Sequence, residues 1–190
     1  MAHVKVVRRS MRPEEWTDLR FVWLQRGIYE EKFEITDLEI RDARQISEDQ
    51  YEYYSDEYRP LKKDDMYFTP DGTAFIRGHV QIPAHMKGKN IYFTLHTAAE
   101  MIVKINGKYV GGVDPNRERI LLNPYIDSDD LTIEIEAYNR SKPDDERNPA
   151  SLAHRGCRQI FEGAYLSTIR DNVQSLVYDY ILFMDIAHSE

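Results

Sequence analysis

Between Thr73 and Pro124 apolar and polar residues change places in short runs, and Lys87-Gly88, Asn106-Gly107 and Asp114-Pro115 punctuate them. A period of two is the mark of a strand with one buried face. In TAFIRGHVQIP the inward set is either Ala74, Ile76, Gly78, Val80 and Ile82 or the alternate Phe75, Arg77, His79 and Gln81, and apolarity selects the first. A slip of one residue would exchange the faces, so the register is well specified. Arg77 and His79 then lie on the opposite face, and Pro83 ends the strand. Ile91, Phe93 and Leu95 alternate with Tyr92, Thr94 and His96, and MIVKI (101–105) is nearly continuous in apolarity, as a strand inside a sandwich should be. Asn106-Gly107 between two such runs predicts a hairpin, because a type I′ turn needs positive φ at both central residues. A further strand runs from Arg119 to Leu122. Leu131, Ile133, Ile135 and Ala137 alternate with Thr132, Glu134, Glu136 and Tyr138 in the next. The pattern predicts an antiparallel meander folded into a sandwich.

The flanks read differently. Arg12 to Gln25 predicts a helix, with Pro13, Glu14 and Glu15 suited to its first turn and Gly27 to its stop. Trp16, Leu19, Phe21, Val22, Trp23 and Leu24 exceed one narrow stripe, so both tryptophans are expected in a core or domain interface and not as a sugar-stacking platform. Phe33, Ile35, Leu38 and Ile40 fit a half-buried strand pair or edge. From Asp171, with Asp171 or Asn172 as cap, Val173, Leu176, Val177, Tyr180, Ile181, Met184 and Ala187 recur at three- and four-residue steps, and Leu182 and Phe183 widen the stripe. A helix this apolar must lie against the sandwich or against a neighbour. The expected fold is mainly β, a jelly-roll-like antiparallel β-sandwich with an N-terminal and a C-terminal helix. Residues 1–168 form the sandwich and leading helix, and 169–190 a helix leading toward a further domain. SKPDDERNP (141–149) is the expected flexible or partner-dependent loop.

Composition narrows the function. With 25 basic residues against 33 acidic, the net charge of −8 and the scatter of the basic residues disfavour nucleic-acid binding. Arg8-Arg9-Arg12 is read as a solvated end. A mean hydropathy of −0.62, with no window near the ~20 apolar residues of a membrane span, points away from the bilayer. One cysteine, Cys157, and no apolar amino-terminal run together predict a reducing, cytoplasmic setting.

Candidate chemistry is sparse. The six histidines include no pair at metal spacing, His154 and Cys157 lack an orienting acid nearby, and Gly111-Gly112 is a lone pair and not a phosphate-cradling loop. Tyr51, Tyr53, Tyr54, Tyr58 and Tyr67 crowd among acidic residues. Sugar rings offer C–H faces to aromatics and hydroxyls to carboxylates, so Tyr51, Tyr53 and Tyr54 are candidate stacking residues. Amphipathic tyrosines on a sheet surface, with hydroxyls in water, are the alternative.

The central segment is similar to the amino-terminal region of glycoside hydrolase family 38 α-mannosidases. The resemblance is carried by Val80-Gln81-Ile82-Pro83, Gly88-Lys89, Glu100, Ile105-Asn106-Gly107 and the run Gly112-Val113-Asp114-Pro115-Asn116-Arg117-Glu118. WTDLRFVWLQRGIY and VYDYILFMDIA extend it over most of the chain. It implies a jelly-roll domain preceding a catalytic domain that uses zinc and an aspartate nucleophile to hydrolyse α-mannosides with retention. Implied partners are that catalytic domain and mannose-containing glycans. The family's His-x-Asp zinc motif lies past the closing helix and is absent up to Glu190, so no nucleophile, acid or zinc ligand is carried onto any residue. These 190 residues are therefore expected to be inactive alone. Asp114, Asn116, Arg117 and Glu118 are candidate substrate or interdomain contacts, because loops of a sandwich cluster at its ends. The alternative is a turn held by the Asp side chain and a local Arg–Glu pair. A carbohydrate-binding module, a sugar-binding sandwich of another glycosidase and a protein-interaction adaptor are the other functional readings.

Overall fold

The alternation becomes two sheets in the computed structural model, which describes residues 21, 23–65, 72–96, 99–114, 117–138 and 161–188. The chain divides into two compact units, Lys32–Ser167 and Met1–Glu31 with Thr168–Glu190. In order the strands are β1 (Tyr29–Glu34), β2 (Leu38–Ser47), β3 (Gln50–Tyr53), β4 (Arg59–Pro60), β5 (Thr73–Gln81) and β6 (Tyr92–Leu95). Then come β7 (Glu100–Ile105), β8 (Lys108–Val113), β9 (Arg119–Leu121), β10 (Asp130–Tyr138) and β11 (Ala164–Ile169). The larger sheet is ordered β3-β2-β5-β10-β7-β8, with β4 pairing off β2, and the smaller β1-β11-β6-β9. The unit boundary falls inside β1 and β11.

In the unit Lys32–Ser167 the pairing of β5 with β10 sets the core. Leu131, Ile133, Ile135 and Ala137 stand opposite Val80, Gly78, Ile76 and Ala74, and the expected inward faces of both strands are the observed ones. Ile40, Ile76, Val103, Ile133 and Ile135 of the larger sheet join Phe93, Leu95, Ile120 and Leu166 of the smaller in one apolar cluster. Burying each such side chain contributes about 1.5–3 kcal/mol. Gly78 is required by crowding: a Cβ there would collide with the Asp37 carbonyl oxygen, which accepts from the His79 amide at 3.1 Å.

The predicted hairpin forms, with φ of 50° at Asn106 and 73° at Gly107. The Asn106 side chain accepts from the Thr132 amide at 2.9 Å and donates to Asp127 at 3.2 Å, while Lys108 reaches Asp127 at 2.9 Å. The hydrogen bond from Lys108, then that from Asn106, holds the Asp127 carboxyl below the usual range.

Several expectations need correction or fall outside the described residues. MIVKI lies inside the sandwich's larger sheet as expected, but its burial alternates: Ile102 is exposed, since the outer face of that sheet is open. Thr94, placed by alternation on the outer face of β6, is fully buried; its hydroxyl lies 2.6 Å from that of Ser167, and the two satisfy each other. Trp23 is 62% exposed, not in a core. Trp16, Tyr67, His154, Cys157 and the 141–149 stretch lie outside the described residues.

In the other unit, residues 21 and 23–27 are helical, and Arg170 closes that turn by donating to the carbonyls of Gly27 at 2.8 Å and Tyr29 at 2.7 Å. Phe21 stacks on Tyr180 with centroids 5.3 Å apart. The closing helix, Asp171–His188, has two apolar stripes. Val177 is buried and Val173, Tyr180 and Met184 half-buried on one side, at steps of four, three and four. On the opposite side Tyr178, Leu182 and Ile186 are 59%, 57% and 53% exposed. Leu176 and Ile181, expected in the buried stripe, are exposed. None of the described helices is long and apolar enough to cross a membrane.

Candidate functional site

The outer face of the larger sheet is built from the polar half of each alternation. Cross-strand register sets Glu39 opposite Arg77, Arg77 opposite Glu134 and Glu134 opposite Lys104, a row in which the charges alternate. The next row sets Arg41 opposite Phe75, Phe75 opposite Glu136 and Glu136 opposite Ile102. Arg77 pairs with Glu39 at 2.7 Å and lays its guanidinium 4.0 Å from the Tyr58 ring centroid. Arg41 lies 3.5 Å from the Tyr53 centroid and 4.9 Å from that of Tyr58, and the Lys104 ammonium lies 4.5 Å from that of Tyr109. Tyr51 meets Phe75 edge-on at 4.9 Å, and Tyr53 lies tilted against the same ring at 5.6 Å. Together these side chains leave a hollow of about 280 Å³ lined by Tyr58, Arg77, Lys104, Tyr109, Glu134 and Glu136.

Tyr51 donates to the Glu136 carboxylate, and this bond, followed by burial, pushes the phenol up to about 12. Its folded pKa is raised, so the stability it contributes is whole below the unfolded value of 10.0 and fades as pH rises toward about 12. At this partly solvated position Tyr51→Phe is expected to lower stability by about 1 kcal/mol at neutral pH. Urea unfolding checks the loss, and the alkaline phenolate absorbance of the folded variant should lack the tyrosine that titrates at about 12.

The expected residues fall into two groups, one on β3 at one end of the larger sheet and one in the connection from β8, at its other end, to β9 of the smaller sheet. Tyr51 and Tyr53 come together on β3 and Tyr54 lies just past the strand, and none of the three lines the hollow. The turn after β8 holds the second group. The Asp114 carboxylate accepts from the Arg117 amide at 3.0 Å, the Asp114 amide donates to the Arg117 carbonyl at 3.1 Å, and the Arg117 guanidinium reaches back to Asp114 at 3.5 Å. Arg117 thus pairs with Asp114, and Glu118 turns elsewhere. Asn116 lies outside the described residues.

Glu118 stands 3.1 Å from His96 Nδ1, and His96 Nε2 is 3.0 Å from the Lys32 ammonium, which lies 5.0 Å from the Tyr165 ring centroid. The Lys32 ammonium has no acceptor, so it donates to Nε2, while Nδ1 donates to the Glu118 carboxylate. That bond holds the Glu118 carboxyl below the usual range, while desolvation lowers Lys32 against the opposing pull of Glu118. The arrangement ties β1, β6 and the residue before β9 together by polar contacts. Among the described residues no three His, Cys, Asp or Glu side chains are grouped to hold a metal.

Sequence reasoning named Tyr58 without giving it a role and missed Lys32, His96, Arg77, Lys104, Tyr109, Glu134, Glu136 and Tyr165. Arg77, His96, Glu134 and Glu136 fall on polar faces that the alternation had assigned, so for them the available signal was the face opposite the core; Lys32, Lys104, Tyr109 and Tyr165 had no such signal.

No family model and no curated protein matches the chain. Solved structures with a similar fold include a calcium-binding mutant of Bacteroides uniformis beta-glucuronidase 2, at 18% identity over 72% of this chain and 18% of that one, with a TM-score of 0.42. A beta-D-glucuronidase of Dictyoglomus thermophilum matches at 18% identity over 73% and 28%, TM-score 0.39. A glycosyl hydrolase family 2 member from Bacteroides cellulosilyticus DSM 14838 matches at 16% over 73% and 20%, TM-score 0.43. The chain spans between 18% and 28% of these neighbours' lengths, and none of the three is an α-mannosidase.

Proposed function

We propose that the chain is a non-catalytic amino-terminal β-sandwich domain of a glycoside hydrolase, an α-mannosidase, and that it serves as scaffold and interdomain support for a zinc-dependent catalytic domain. The observation that carries this reading is the closing helix, apolar on two opposite sides with Tyr178, Leu182 and Ile186 exposed on one of them. A helix apolar all round belongs inside a larger assembly. The occupant of the exposed stripe is the catalytic domain, because in the family that the sequence resembles this helix leads directly to it. Asp114, Arg117 and Glu118 are read separately as a substrate or interdomain contact, with Arg117 the side chain most open to solvent among them.

On this reading zinc and the hydrolysis of mannose-containing glycans belong to the catalytic domain, and the sandwich supplies rigidity and position. The purified 190-residue chain, supplied with zinc and an aryl α-mannoside, is expected to release no aglycone above the blank. Zinc-dependent turnover by the chain alone would sink the reading.

A further inference from the structure

We propose that the hollow on the outer face of the larger sheet binds one residue of a neutral saccharide, which stacks on Tyr109 and hydrogen-bonds to Glu134 and Lys104. This goes beyond the scaffold role and does not rest on it.

Three observations converge. The first is an available aromatic: Tyr109 is 68% exposed at the β7–β8 hairpin, with the Lys104 ammonium over its ring at 4.5 Å. The ammonium covers one face of the ring, and so large an exposure leaves the other face to solvent, a flat apolar surface close to a charged donor of the kind an amphipathic sugar ring requires.

The second is hydrogen-bonding capacity left open. Arg77 is taken up by Glu39, and Glu136 by the Tyr51 hydroxyl. Glu134 and Lys104 sit opposite each other in register, yet neither is in an ion pair among the described residues. A carboxylate only accepts and an ammonium only donates, so the two together suit a pair of neighbouring hydroxyls, each of which does both. Hydrogen bonds to charged groups are also the stronger kind.

The third is charge balance. Arg77, Lys104, Glu134 and Glu136 all line the hollow, two cations and two carboxylates. A phosphorylated or nucleic-acid ligand would meet both carboxylates, and a basic peptide both cations. A neutral polyhydroxylated ligand meets neither penalty. At about 280 Å³ the hollow is slightly below the ~300 Å³ at the small end of ligand pockets, which favours a single ring over a long chain. Tyr58 forms part of the wall and is held from above by Arg77 and Arg41.

The test is calorimetric titration of the full chain with methyl hexopyranosides of gluco, galacto and manno configuration. At least one is expected to bind saturably. Tyr109→Ala and Glu134→Gln should each weaken that binding about tenfold, the loss of one stacked face or one charge-assisted hydrogen bond. Tyr54→Ala, exposed but outside the hollow, should leave it unchanged. Tyr109 and Glu134 are both exposed, so the variants should keep the wild-type circular dichroism and unfolding midpoint. Absence of saturable binding for all three glycosides, or binding retained in both variants, overturns the proposal.

Discussion

Phe93→Ala is expected to destabilise the sandwich by about 3–5 kcal/mol, the usual range for truncating a fully buried phenylalanine. Phe93 has no exposed surface and stands opposite Leu166 on one side and Ile120 on the other. Both neighbours are held by backbone ladders on β11 and β9, so the walls of the vacated space cannot close inward without breaking strand pairing. A domain of this size has about 5–15 kcal/mol of stability in total, so the loss is a large fraction of it. In urea the unfolding midpoint should fall steeply with an unchanged slope. Ile102→Ala is the matching control: Ile102 is 51% exposed on the outer face and its truncation should stay within about 0.5 kcal/mol. Equal losses for the two variants would mean that Phe93 is not at the centre of the core.

The parts of this fold that depend on one strand at a time were legible from the residues. β5 and β10 show their faces by alternation, Asn106-Gly107 marks its own turn, and the three- and four-residue steps after Asp171 mark the closing helix. What required pairing was hidden. Thr94 looks solvated in a single strand; only its position beside Ser167, 73 residues away, makes its burial acceptable. The row Glu39, Arg77, Glu134 and Lys104 comes from four strands that are not consecutive in sequence, so no local window contains it.

The turn at Asp114 shows the same limit on a smaller scale. Arg117 and Glu118 are adjacent and invite a local ion pair, but successive side chains in extended backbone point to opposite sides. Arg117 therefore closes on Asp114, and Glu118 faces His96. The core half of the expectation for Trp23 fails for another reason. Counting apolar residues along a helix shows that more than one face is apolar, not which face finds cover.

The exposed stripe of the closing helix yields the other large effect. Replacing Leu182 and Ile186 with aspartate removes two large apolar side chains from the docking face, each worth about 1.5–3 kcal/mol when buried, and adds charge that docking would have to desolvate. At about 1.4 kcal/mol per tenfold, binding to the catalytic domain should weaken at least about a hundredfold. The chain itself should keep its fold, because both side chains are more than half exposed in it.

The scaffold account is tested most directly by mixing the purified chain with a separately produced catalytic domain of the parent enzyme and following their association by gel filtration. The account predicts a stoichiometric complex that the Leu182→Asp, Ile186→Asp chain fails to form. Independent elution of the two wild-type proteins, or a complex that tolerates both aspartates, would contradict it.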